Sequence, residues 1–281
     1  MPRTAIRIKR LLTVLTLAHL TVGVSQQQPG LAQSKPDGDL TAALRKIVGL
    51  INRHDFDAAA PLAEATVARY PQSYEARVMR GNAYNGLEED EKALRDYQWA
   101  LKTRPKDAAV LEAVAGIQFA QGKDNEALAS INEAIKNSTV NSGVNELLEF
   151  KRRVLKYEHR YVEAEAVVDL MLSHVPNHPH WVRERLKLRI ENKEWPGAIA
   201  DATFCLPLMP QFKATLLQDR AKAYAALGQN EKAIQDLKQA LRSDPGNRLM
   251  HVDLLEVYKR SGKKQLADDE SKFLKRLGEG I

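Results

Sequence analysis

Three histidines crowd one short stretch, "SHVPNHPHW", at His174, His178 and His180. Imidazoles at such spacing can ligate a transition metal. They also flank a turn, where a histidine near a helix C-terminus suits the helix dipole. The second reading fits the surrounding prolines better, so no metal and no cofactor is expected. Catalytic signatures are missing throughout. The chain has no GxGxxG, P-loop, GxSxG or HExxH stretch and no pair of CxxC motifs. An enzyme would need a polar pocket with perturbed acids, and no constellation suggests one; no catalytic residue is assigned. Asn137-Ser138-Thr139 is a glycosylation sequon that matters only in a eukaryotic secretory pathway.

The remaining chemistry lies in cations that recur at a distance. Arg153, Lys187 and Lys222 are separated by 34 and 35 residues, with Arg183 one turn before Lys187 and Lys156 about one turn after Arg153. The elements that position them repeat at the same interval. "GNAYNGLEEDEKALRDYQWALKTRP" (81–105) and "AKAYAALGQNEKAIQDLKQALRSDP" (221–245) share a small residue, a tyrosine, two alanines and a proline at matching offsets. One alanine of the set recurs as Ala59, Ala93, Ala127, Ala164, Ala198, Ala233 and Ala267, each 12 residues before a turn. Prolines mark that turn at Pro71, Pro105, Pro176, Pro210 and Pro245; the slot is Thr139 in the third unit and Glu279 in the seventh.

This pattern resembles the tetratricopeptide repeat, whose unit is about 34 residues long. The units fall at 40–73, 74–107, 108–141, 145–178, 179–212, 214–247 and 248–281. The expected fold is all-α: a right-handed superhelical solenoid of about seven antiparallel helix pairs. The first helix of a pair should end near Gly86, Gly122, Gly228 or Gly262, where glycine helps the chain turn. Proline then stops the second helix. The recurrent alanine belongs where the two helices cross, because a larger side chain would push the axes apart. Cys205 occupies the slot of Ala100, Ala134 and Ala240 and reads as a small buried residue rather than a nucleophile. The insert 142–144 could bend the array into a three-unit and a four-unit part. The charged last helix (263–277) could solvate its end.

The resemblance implies that first helices line a concave face and that peptides are held there. Helical spacing then turns Asn82, Asn85, Phe119, Arg153, Lys156, Arg183, Lys187, Gln218 and Lys222 inward, together with acids such as Glu112, Glu146 and Glu149. Arg153, Lys187 and Lys222 should form a ladder of positive charge that favours an acidic segment of a protein or peptide partner. The competing expectation is a solvated face on which Glu149 neutralises Arg153. A glycan-binding accessory module is the alternative function, which exposed aromatics would favour; Phe119 is the one aromatic placed on the face. The clamp by which some family members hold a terminal carboxylate is not reproduced, because Val78 and Ala113 stand in two of its slots.

The first 25 residues differ from the rest. Arg3, Arg7, Lys9 and Arg10 precede an apolar run from Leu11 to Val24, with small residues at Gly23 and Ser25 and again at Gly30 and Ala32. These are the parts of a secretory signal peptide, cut after Ser25 or after Ala32, and imply a periplasmic or secreted protein. An uncleaved anchor and a mitochondrial presequence are the other readings. Residues 26–39 read as a flexible linker. The chain of 281 residues has 42 basic and 36 acidic residues, a formal +6. Without the leader's four cations the balance is 38 to 36, or +2. A general nucleic-acid role thereby loses its main support.

Overall fold

The computed structural model describes residues 38–138 and 141–278. The expected leader, most of the linker, and the slots at 139 and 279 lie outside the described residues. Within them the chain forms fourteen α-helices and one 3-10 turn, with no strand. In order these are α1 (Gly38–Asn52), α2 (Phe56–Arg69), α3 (Tyr74–Gly86), α4 (Asp90–Thr103), α5 (Ala108–Ala120), α6 (Asp124–Asn137), α7 (Asn141–Tyr157), α8 (Tyr161–His174), α9 (Pro179–Glu191), α10 (Trp195–Leu208), the 3-10 turn Pro210–Phe212, α11 (Lys213–Ala226), α12 (Asn230–Leu241), α13 (Arg248–Arg260) and α14 (Lys264–Gly278). The insert 142–144 is helical in backbone and belongs to α7. The chain divides into two compact units between Val154 and Leu155, also within α7.

Each helix begins and ends for local reasons. Ser73, Asp107 and Asn247 cap α3, α5 and α13 by accepting hydrogen bonds from the amides of Ala76, Val110 and Met250 at 3.1–3.2 Å. The turns within pairs share one geometry. A left-handed residue stands at His54, Glu88, Gly122, His159, Lys193, Gly228 and Gly262, five places before each recurrent alanine. The amide after it donates back to the helix: Glu89 to the Tyr84 carbonyl at 2.9 Å, Glu194 to Arg189 at 2.8 Å, Gln229 to Tyr224 at 2.9 Å. This six-to-one bond closes a Schellman turn and satisfies a carbonyl that the helix end would leave open.

One glycine has a different role from the expected one. The left-handed residue after α3 is Glu88, not Gly86. Gly86 instead admits the ring of Phe56, which would lie 2.3 Å from a Cβ at that site. Gly81 likewise faces Tyr97, 2.7 Å from where a Cβ would sit.

The alanines are at the crossings. All seven are buried, from 0% exposure at Ala93, Ala164, Ala198 and Ala233 to 7% at Ala267. In the N-terminal unit, α1 touches α3 and α3 touches α5; in the C-terminal unit, α9 touches α11 and α11 touches α13. First helices therefore lie side by side within each unit and make one face. A second tie recurs on the other flank. Arg80, Arg185 and Arg220 each grip an aspartate 16 residues later, Asp96, Asp201 and Asp236, with two bonds of 2.7–3.0 Å. The aspartates are buried, and the bidentate geometry meets both carboxylate oxygens. Tyr224 and Tyr84 add a lysine over the ring eight residues on, Lys232 at 5.3 Å and Lys92 at 5.0 Å.

Candidate functional site

In the N-terminal unit two expected face residues are inside instead. Asn82 is 1% exposed, and its Oδ1 accepts a 2.8 Å hydrogen bond from the Tyr97 hydroxyl. Gly81 leaves room for that same ring, so the amide serves to satisfy a buried phenol. Phe119 is 0% exposed and meets Phe150 edge-on at 6.2 Å. A helical-spacing argument places both on the inner side of a helix but cannot tell a groove from the seam with the neighbouring helix. Asn85, half-buried on α3, lies near the Tyr97 phenol and works against the rise in its pKa that burial causes.

Farther along this unit, α5 and α7 bring Glu112, Glu146 and Arg153 together. Burial pushes the Glu112 carboxyl up to about 7, Glu146 adds to the push, and Arg153 opposes it. Arg153 is half-buried, with its guanidinium 5.8 Å over the Phe150 ring. Its Nε is buried and has no hydrogen-bond partner, and neither has one oxygen of Glu146. On the competing expectation Glu149 neutralises Arg153; its carboxylate accepts two bonds from Arg152, at 2.8 and 2.5 Å, and still acts on the Arg153 charge. Burial lowers the Arg153 pKa, and Glu149 and Glu112 work against that shift.

In the C-terminal unit, α9 and α11 gather Arg183, Lys187 and Lys222 around Asp219. Burial raises the pKa of this carboxyl, and the three cations, Lys222 foremost, hold it down. Each cation also has its own partner. Lys187 Nζ donates to Glu184 at 2.5 Å, Lys222 Nζ lies 4.0 Å from Asp253, and Arg183 stacks 3.7 Å over the Phe212 ring. Gln218 Nε2 donates to the same Asp253 at 2.6 Å. The expected row of unopposed positive charge is thus a surface of interleaved signs. Lys156, at the end of α7, is half-buried in this unit. Beside these groups lies an open hollow of about 380 Å³, lined by Ile190, Trp195, Ala225 and Val257, with Lys222 and Asp253 on its wall. No sequence signal marked it, because its lining comes from five helices.

The other candidates are structural. His178 and His180 are exposed, and His180 sits edge-on to Trp181 at 4.6 Å. Among the described residues, no group of three or more His, Cys, Asp or Glu side chains is placed to hold a metal ion. Cys205 is fully buried, its Sγ 3.7 Å from the Pro179 carbonyl, and burial pushes its thiol up to about 11. No described helix is long and apolar enough to cross a membrane.

Paired helices with alanine crossings, repeated turns and a common face of first helices define an all-α helix-pair repeat protein. Family models described as "Tetratricopeptide repeat" match residues 44–94, 86–141 and 214–247. The chain is a tetratricopeptide repeat protein. Among curated proteins it is similar to DnaJ homolog subfamily C member 3 of Gallus gallus, 24% identical over 77% of this chain. The chain spans 45% of the length of that relative. Among solved structures it is similar to the C-terminal part of a TPR repeat-containing protein from Cytophaga hutchinsonii (TM-score 0.64, 18% identity, 83% of this chain and 95% of that one). It is also similar to YrrB, described as a TPR protein with an unusual peptide-binding site (TM-score 0.54, 16% identity, 67% of this chain and 95% of that one).

Proposed function

We propose that this protein is a non-catalytic interaction scaffold of the cell envelope that holds a segment of another protein against its first helices. One observation carries the reading: Arg183 and Lys187 of one first helix and Lys222 of the next all act electrostatically on a single carboxyl, Asp219. Cations gathered in a poorly solvated surface favour an anionic residue of the segment. Their acid neighbours limit that preference, so the partner is recognised by the placement of its charges as well as by their sign. A fold neighbour described as having a peptide-binding site is consistent with this use of the face. The basic and apolar start of the chain supports the envelope location. The glycan alternative loses its one placed aromatic, because Phe119 is buried.

The test is capture by the immobilised chain from an envelope extract, with bound proteins identified and counted against bait. The expected result is one stoichiometric protein partner, whose capture falls roughly tenfold in Lys187→Glu while the helical CD spectrum and melting temperature stay unchanged. Undiminished capture by Lys187→Glu would remove the role of the cations. Recovery of carbohydrate alone would favour the glycan reading.

A further inference from the structure

We propose that Arg153 and Glu112 form a proton-linked anion site on the N-terminal unit: an anionic group of the partner docks at Arg153, and Glu112 takes up a proton as it arrives. This rests on the scaffold reading above and adds to it a ligand group and a regulating ion.

Two buried polar atoms of α7 lack hydrogen-bond partners. Buried polar groups are almost always hydrogen-bonded, so an exception calls for a cause. Here two exceptions stand together: Nε of Arg153 and one carboxylate oxygen of Glu146, seven residues apart on α7. The carboxylate four residues before Arg153, Glu149, acts on its charge but gives its hydrogen bonds to Arg152, so Nε is left without a partner. Glu112 faces this pair from α5, and the charged groups acting on it are Glu146 and Arg153. On α3 the matching position is Val78, which is buried and apolar. Among the described residues no charged group of α3, α4 or α6 acts on Glu112. Glu112 and Glu146 therefore share a poorly solvated space with Arg153, beside the paired charges of Arg152 and Glu149. Near neutrality the proton of Glu112 is finely poised.

An arriving anion changes that balance. It accepts from Arg153, removes the attraction that kept Glu112 ionised, and brings a further negative charge beside it. Glu112 then binds a proton from solvent. By linkage, a ligand that binds with proton uptake binds more tightly as pH falls, until Glu112 is already neutral in the free protein. The effect lies between pH 8 and pH 6, on either side of the Glu112 midpoint of about 7.

The measurement is calorimetric titration of the full chain with an octapeptide of alternating cysteic acid and glycine, whose sulfonates stay ionised across the range. Doing it in the Lys187→Glu background weakens the competing cations of the C-terminal unit, and comparison with Arg153→Gln isolates the N-terminal site. Binding should be roughly tenfold tighter at pH 6 than at pH 8, with net proton uptake at pH 7 seen as a dependence on buffer ionisation heat. Glu112→Gln should bind equally at both pH values, with no proton uptake. Arg153→Gln should lose binding at both. A second readout needs no ligand. The Glu112 carboxyl titrates higher in the folded chain than its ordinary 4.5, so folding stability falls as pH rises from about 4.5 through 7. Glu112→Gln should therefore melt higher than the parent at pH 8 and alike at pH 4. Equal affinity at pH 6 and 8, or a pH dependence that survives Glu112→Gln, would overturn the proton link and leave the scaffold standing. Unchanged binding by Arg153→Gln would overturn the site. No binding by the parent chain at any pH, with or without Lys187→Glu, would overturn both the site and the anionic partner.

Discussion

Glu88 and Lys193 hold left-handed backbone with φ of 63° and 59°, where their Cβ crowds the backbone and glycine would not. Gly228 and Gly262 fill the same turn position in two other pairs with no such penalty. Replacing Glu88 by glycine should therefore stabilise the protein by roughly 1 kcal/mol, offset in part by the greater freedom of glycine in the unfolded chain. The expected sign is a higher denaturation midpoint at unchanged slope, by about 2–4 °C in a thermal scan. A lower midpoint would mean that the Glu88 side chain contributes more than its backbone costs. This position also shows what the sequence could convey. Glycines at Gly122, Gly228 and Gly262 announce the turn by their type. Glu88 and Lys193 announce nothing, since the Schellman bond is made by backbone atoms alone. Gly86 even points to the wrong residue, because its reason for being small is the ring of Phe56, far away in sequence.

Helix pairing was the most legible level, and its physical cause is simple. The crossing distance of two helices is set by the side chain between them, so an alanine must recur wherever a crossing recurs. Ala198 tests this. Ala198→Leu inserts a branched side chain where exposure is 0%, and should cost roughly 1–3 kcal/mol by overpacking, read as a lower urea midpoint. A neutral outcome would show that α9 and α10 can part without loss. The face made by first helices was less legible. Spacing put Arg183, Lys187 and Lys222 on one face, and all three act on the Asp219 carboxyl. It could not anticipate that Glu184 and Asp253 would meet two of them, or that Arg152 rather than Arg153 would take the hydrogen bonds of Glu149. Those outcomes depend on rotamers and on neighbours three to 31 residues away, which periodicity does not resolve. The arginine-to-aspartate clasps at a spacing of 16 were open to discovery in the sequence, since Arg80, Arg185 and Arg220 keep the same offset.

For the whole molecule, the open question is what becomes of its first residues. The charge pattern around Leu11–Val24 leads to a definite expectation: the protein recovered from the envelope should begin at Gln26 or Gln33, as read by mass spectrometry of its N-terminal peptide. A retained Met1 in envelope-recovered protein would favour an anchor. Either result fixes whether the basic leader contributes to the charge that a partner meets, and so whether the small surplus of +2 or the full +6 governs approach at low salt.

The closing helix has a consequence for self-association. Among its described residues α14 buries only Ala267, while Lys264, Asp268, Asp269, Lys272 and Lys275 ring its free side. A stack of helix pairs is open-ended by nature: whatever covers one pair could be covered by the next, and head-to-tail contacts that do not close run on into filaments. Another copy docking on α14 would have to strip water from those charges and would find little apolar surface in return. The charged side of α14 therefore disfavours stacking by a second copy of this chain there.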